Sequence, residues 1–428
     1  MRIAVFEDGA VSNLSPLTLT RAVFDLRVGR YTLLERVQMK FGTADLALVR
    51  GYLAEYYREV RKLEVEVGDA DDDVLLVNPR FVLDPRAMGA LEKLRSEGRR
   101  FILLSGADVV GALLPRHVGL ERLHVPVDSS DLVRSVKGRV EPLYIEGSPI
   151  DYPWQLIELN SRILPDDAAC GGGVLGEVDE TVKVLGRGGL AVGEGAVVEP
   201  YVVLDTRKGP ILIESGAEVK AHAYVEGPCV IGRGTVVMPG ARVREGCSIG
   251  PVCRVGGEVE ESIIHGFSNK YHDGFLGHAY VGEWVNLGAL TTNSDLKNTY
   301  GTVRVGVGAR RLDTGRVKVG AFIADFVKTA IGTLIYTGKR VGVSSHLHGV
   351  VVEDVPSFTI YAKSLGQEPV ELRLESAVET ARRMMARRGV SMPKALEALL
   401  ERVFELTRSE RAAAGVRAAT FQLVRQPE

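Results

Sequence analysis

Aromatic residues are scarce in this chain: Phe, Trp and Tyr make up 6% of its 428 residues. A conventional core built on large rings is not expected over most of its length. Cysteine is rarer still, with Cys170, Cys229, Cys247 and Cys253 as the full set. Their spacing matches no zinc knuckle, so they read as small buried hydrophobes in a reducing, cytoplasmic setting. Net charge is −2, and no bulk field draws the chain to nucleic acid or to a membrane surface. No apolar run reaches the length of a membrane span. Met1–Phe6 is short and runs at once into Glu7 and Asp8, which excludes reading it as a secretory signal. Glycine is the opposite case. Its 48 residues, with few rings and 45% hydrophobic content, suit a tightly wound β structure filled by aliphatic side chains.

The positive signal is a beat. Ile213, Val219, Val225, Ile231, Val237, Val243, Ile249 and Val255 recur at every sixth position. A helix needs apolar residues at a period of about 3.6 and a strand at about 2. A strict period of six fits a solenoid of very short strands, each turn stacking aliphatics on the turn below. Val192 and Val198 precede the series. Phe275, Val281 and Leu287, then Ile323, Thr329, Ile335 and Val341, follow it. The register breaks at 256–274 and at 293–316, and such breaks are expected to be surface loops.

Before the coil, strand-like and helix-like segments alternate. Arg2–Phe6, Asp45–Val49, Val74–Val77 and Phe101–Ser105 read as strands. Leu33–Phe41, Ala54–Leu63, Pro85–Glu97 and Tyr152–Ile163 read as helices. That alternation predicts an α/β domain with a mostly parallel sheet. Cys170–Gly173, with three glycines, reads as a junction. Beyond Pro369 the composition turns helical over Glu371–Arg388 and Pro393–Ala414. A solenoid end exposes unpaired strand edges, so a helical cap is expected there. The Arg382-Arg383 and Arg387-Arg388 pairs read as solvated helix faces.

The hexads Val192-Gly193, Ile231-Gly232 and Ile249-Gly250 resemble those of hexapeptide-repeat, left-handed β-helix proteins, many of them trimeric acyltransferases. The stretch SNKYHDGFLGHAYVGEWVNLGALTTNSDLKNTYGTV, residues 268–303, is more specific. It resembles the acetyl-transfer core of the bifunctional sugar-1-phosphate uridylyltransferase/glucosamine-1-phosphate N-acetyltransferase family. LSPLTLTRAVFDLRVGRYTLLER, residues 14–36, and YPWQLIELNSRI, residues 152–163, resemble a divergent branch of it. The implied architecture is an α/β nucleotidyltransferase-like domain (1–168), a left-handed parallel β-helix acyltransferase domain (169–366) and a helical C-terminal extension (367–428).

The resemblance implies a site residue by residue. His272 stands at the position of the family's base, and an imidazole titrates near neutrality. Asn286 and Phe275 stand where the family contacts the sugar, though Phe275 replaces a tyrosine. Lys270 could supply a cation for the sugar phosphate. Asn293 and Ala289 fall near the acetyl-CoA position. Met238 stands where the family has an arginine, and Glu258 and Glu260 lie where a lysine is expected. In the first domain Arg21 and Arg27 are the phosphate cations, and Asn78 with Asp84 would hold Mg²⁺ for nucleotidyl transfer. The implied partners are a sugar 1-phosphate, a nucleoside triphosphate and acetyl-CoA, in a homotrimer.

Other readings stay open at this level. Trimeric β-helices also host three-histidine zinc enzymes, and His222, His265, His272, His278, His346 and His348 all lie in the coil region. A chain with one transferase activity, nucleotidyl transfer to another sugar 1-phosphate, is a second alternative. A non-catalytic regulatory subunit that senses a sugar nucleotide is a third.

Overall fold

The computed structural model describes residues 1–65, 72–116, 123–170 and 172–421. Gly171, inside the expected junction, lies outside them. Two compact units divide the chain. One holds Met1–Arg27, Tyr31–Tyr152 and Pro393–Leu399; the other holds Val28–Arg30, Pro153–Met392 and Leu400–Glu428.

The first unit is built on a six-stranded sheet, in the order Leu46–Leu48, Arg2–Phe6, Val74–Val77, Asp108–Leu114, Phe101–Ser105, Glu141–Tyr144. Arg2–Phe6 runs parallel to both its neighbours. Asp108–Leu114 runs antiparallel to both of its own. That strand was not legible as a separate element, because its apolar run follows Phe101–Ser105 after only a two-residue turn. Gly111 at its centre is forced by space: a Cβ there would stand 2.8 Å from the Leu76 carbonyl oxygen. The helix Leu33–Phe41 begins with a capping box between Thr32 and Glu35, which satisfies two otherwise orphaned backbone donors.

The second unit is a parallel β-helix with three faces. All eight residues of the sixfold series are buried in one continuous core. They stack by face: Ile213 on Ile231 on Ile249, Val219 on Val237 on Val255, and Val225 on Val243. Each hexad is therefore one face, and three hexads make one turn. The two register breaks differ in kind. At 256–274 the chain stays in the coil through Glu258–Glu260, Ile263–Gly266 and Asn269–Lys270, but the turn is shorter, so that Ile249 pairs with Ile264. The expected surface loop is a tightened turn of coil. At 293–316 the chain does leave the coil, through a hairpin of Arg304–Val307 with Arg310–Asp313. Phe275 is also displaced from its expected inward row. Leu276 pairs with Val259 and fills that place.

The helix Pro153–Ala169 lies along the first face. Leu164 and Ala168 pack on Ala191, Leu212 and Val230, outward residues of successive turns. The coil ends where Gln367–Glu371 reverses direction against Thr359–Ala362. Helices Leu374–Ala386, Lys394–Leu406 and Arg408–Ala413 follow. Within the second unit Phe404 meets the buried Phe358 edge-on at 5.1 Å, and the Arg411 guanidinium lies 4.1 Å over the Phe404 ring. An aromatic and a cation thus cover the last turn of coil. No helix among the described residues is long and apolar enough to cross a membrane.

Candidate functional site

Strand alternation aims neighbouring residues at opposite sides of a face. On the second face Val255 points inward, so Arg254 points out. In register above Arg254 stand Asn269, Asn286, Lys328 and His346. The result is a polar column on the outer side of this face. Its members Arg254, Asn269, Asn286 and Lys328 form the floor of a cavity of about 800 Å³, lined also by Tyr271, His272, Ala289, Ile331 and the tail residues Arg383, Met384, Arg387 and Arg388.

His272, Asn286 and Ala289 are brought together here. His272 is exposed on the loop after Asn269–Lys270, with its ring 4.9 Å from that of Tyr271. The loop is pinned from beneath. Lys270 is turned into the coil, 2% exposed, and its Nζ donates to the carbonyls of His272 at 2.5 Å and Gly256 at 3.2 Å. Burial pushes its ammonium down to about 8. Lys270 thus faces the interior, where its cation holds backbone and does not meet the cavity. Asn286 accepts from Asn269 Nδ2 at 3.2 Å. Asn293 is buried, and its amide exchanges hydrogen bonds of 2.9 Å with the N–H and the carbonyl of Gly277, closing one turn on the next. Phe275 is half-buried on the third face.

The cavity is rich in cations that sequence reading did not assign to it. Arg254 was findable, since it directly precedes a member of the aliphatic series. Lys328 was findable on the same ground, before Thr329. Its Nζ donates to the carbonyls of Trp284 and Phe326, at 2.9 and 2.8 Å, and burial pushes it down to about 7. The tail arginines carried no local signal. Arg383 and Arg387 are exposed, but Arg388 is half-buried and donates to Asn269 Oδ1 at 2.6 Å, so this pair is not simply a solvated face.

Three other histidines of the coil have carboxylate or ring partners. His278 Nδ1 lies 2.8 Å from Asp295, and its Nε2 lies 3.4 Å from Glu261. His265 lies 3.2 Å from Glu283. His222 stacks on Tyr201 at 5.3 Å. Among the described residues no group of three or more His, Cys, Asp or Glu is arranged to hold a metal.

In the first unit the end of strand Arg2–Phe6 delivers Glu7 and Asp8 into a dense polar cluster. Glu7 is fully buried and accepts from Val23 N and from Arg50 N, Nε and Nη2, all at 3.0–3.1 Å. Asp8 accepts from Asn78 Nδ2 at 2.7 Å and from Arg80 at 3.0 and 2.8 Å. Arg80 also reaches Asp108 at 2.9 Å and Asp151 at 2.5 Å. The expected magnesium pair does not fit a metal. Asn78 Oδ1 accepts from Arg80 N and its amide donates to Asp8 and Val109. Asp84 Oδ1 caps the helix Pro85–Ser96 through two N–H groups, and its Oδ2 accepts from Ser148 N at 2.6 Å. Both side chains are committed to folding. Arg21 is 3% exposed, with its carbonyl accepting from Arg50, and Arg27 is half-buried on a two-residue strand.

Residues 3–171 match the family described as sugar nucleotidyl transferase. Over 219 residues the chain is 31% identical to the bifunctional sugar-1-phosphate nucleotidylyltransferase/acetyltransferase of Sulfurisphaera tokodaii, a match covering 50% of this chain and 48% of that one. Over 283 residues it is 29% identical to the bifunctional protein GlmU of Nitratidesulfovibrio vulgaris strain DP4, covering 59% and 57%. The chain spans about half the length of these curated relatives. The chain is thus similar to a sugar nucleotidyl transferase over residues 3–171, and over about half its length to bifunctional nucleotidyltransferase/acetyltransferases.

Proposed function

We propose that the second unit transfers an acetyl group from acetyl-CoA to the amine of an amino-sugar 1-phosphate, glucosamine 1-phosphate being the first candidate. The first unit then joins a sugar 1-phosphate to UTP and releases pyrophosphate. The observation that carries the acyl-transfer reading is the exposed His272 at a cavity whose wall also holds Asn286 and Ala289.

The chemistry asks for three things. The amine must lose its proton to a base within hydrogen-bond reach, a role for the His272 imidazole. The oxyanion formed at the thioester carbonyl needs donors, for which Asn269 and Asn286 are placed. The phosphates of both substrates need cations, and the column and tail helix offer them. Leu290 and Ile331 stand 59% and 78% exposed, and Ile331 lies at the cavity rim. A second copy covering these residues would complete the cavity, which supports a homotrimer as the working assembly. Light scattering of the purified chain tests that.

For nucleotidyl transfer the support is the family match over 3–171. Because Asn78 and Asp84 are committed elsewhere, no step is assigned to a metal held by them. The same observation favours a second reading, in which the first unit binds a sugar nucleotide without turnover.

The deciding experiment supplies acetyl-CoA, UTP and Mg²⁺ with a set of sugar phosphates, and follows thiol and pyrophosphate release separately. His272→Ala is expected to lower thiol release by about 10²–10⁴-fold and to spare pyrophosphate release. Thiol release that survives the substitution overturns the assignment of the base. Thiol release without pyrophosphate release from the unaltered chain selects the second reading.

A further inference from the structure

The cavity beside His272 gathers five basic side chains: Arg254, Lys328, Arg383, Arg387 and Arg388. No aspartate or glutamate is among its lining residues. Within the described residues only Arg383 has a carboxylate partner, Glu379 at 2.8 Å. Arg254 Nη1 and Lys328 Nζ each donate to backbone carbonyls, which hold the two side chains in place. Arg387 makes no ion pair among the described residues, and the Nε of Arg388 is buried without a hydrogen-bond partner. The nearest acid on the same loop as His272 is Asp273, which is exposed.

Like charges brought together without a counter-ion repel, and the repulsion grows as water is excluded. Burial, then Arg254 and Arg387, hold Arg388 below the usual arginine range. A helix C-terminus attracts cations, which accounts for an arginine at the end of Leu374–Ala386. It does not account for Arg388 crossing to Asn269 on the coil, nor for its partnerless Nε. Both features suit a guanidinium placed to meet an anion beside the coil. Planar guanidinium groups match phosphate oxygens in pairs. This chain, meanwhile, has Met238, Glu258 and Glu260 where the family resemblance would place an arginine and a lysine on the coil.

We infer that the tail helix is a phosphate-binding element of this site: Arg383, Arg387 and Arg388, with Arg254 and Lys328, hold phosphate groups of a substrate next to His272. The ligand's identity rests on the acyl-transfer reading above; the binding of phosphate does not. Two sources share the chemistry, the nucleotide end of the acyl donor and the phosphate of the sugar acceptor.

The test is calorimetric titration of the full chain with pyrophosphate, with adenosine 3′,5′-bisphosphate and with glucosamine 1-phosphate, at low and high salt. Arg387→Gln and the double variant Arg383→Gln/Arg387→Gln change exposed side chains and leave the coil intact. Pyrophosphate is expected to bind the unaltered chain, more weakly in high salt, and to lose about tenfold in affinity in Arg387→Gln. Arg387→Lys should restore most of it. Loss confined to the bisphosphate assigns the donor, and loss confined to the sugar phosphate assigns the acceptor. The inference is overturned if the unaltered chain binds none of the three at low salt, or if the double variant binds them all as well as the unaltered chain. Phosphate binding that persists in a protein without acetyl transfer would sink the enzymatic reading and leave this one standing.

Discussion

Lys270 stands in register with Val255 on the second face of the coil, so an ammonium occupies a place that the turns below give to valine. It does so by donating to the backbone carbonyls of Gly256 and His272. The interior cation is thereby a positioning device for the loop that carries His272.

Lys270→Met should keep the fold and release that loop. Thiol release is expected to fall by about 10–100-fold, with acetyl-CoA binding little changed. The stability profile should change too. Burial lowers the Lys270 ammonium from 10.5 to about 8, so between those pH values the folded chain binds fewer protons than the unfolded one. Stability of the unaltered chain then rises with pH across that window, by about 3 kcal/mol at most. The methionine variant lacks the rise. Urea unfolding at pH 7.5 and pH 10 checks it, and parallel slopes in the two proteins would refute the argument.

His278 should give the opposite sign. Burial works against its charge, but the hydrogen bonds it donates to Asp295 and Glu261 outweigh it and push the imidazole up to about 9 from 6.5. The stabilisation is fully present below pH 6.5 and is lost as pH rises through 9. His278→Gln is expected to be less stable than the unaltered chain by about 3 kcal/mol near pH 6, with the gap closing by pH 9.5. A gap constant over that range would mean the histidine contributes only by packing.

Two glycines separate crowding from backbone strain. A Cβ on Gly250 would lie 1.9 Å from the His265 carbonyl oxygen of the next turn. One on Gly240 meets nothing within 4 Å, but the residue holds a φ of +68°. Gly250→Ala must push two turns of coil apart and is expected to cost about 3 kcal/mol or more. Gly240→Ala should cost about 1 kcal/mol. Thermal unfolding of both variants gives the comparison, and equal shifts would show that the coil can breathe at Gly250.

Arg80 is the test of the first unit. It is 1% exposed and lies among Asp8, Asp108 and Asp151. Removing one partner of a buried ion pair strands the other. Arg80→Met should therefore destabilise the protein by about 3–5 kcal/mol, and Arg80→Lys should recover part of this. The exposed Arg134, paired with Asp131, is the control, with an expected effect within about 0.5 kcal/mol. Chemical denaturation followed by circular dichroism reads all three.

The aliphatic beat determined the coil without help from tertiary contacts, because a short strand facing a narrow interior accepts only one kind of side chain at one position per face. The same alternation made Arg254 and Lys328 legible as outward residues. The motif around His272 was legible because its residues lie close together in the chain. Other roles depended on partners far away. Asn78 and Asp84 meet local N–H groups, and their remaining atoms were taken up when Asp8 and Ser148 were brought to them; Lys270 turned inward, where it donates to two carbonyls. Arg388 reaches Asn269 across 119 residues. No local pattern encodes such a meeting, since a hydrogen bond between distant segments depends on how the chain returns, and that path is set by the packing of the whole coil.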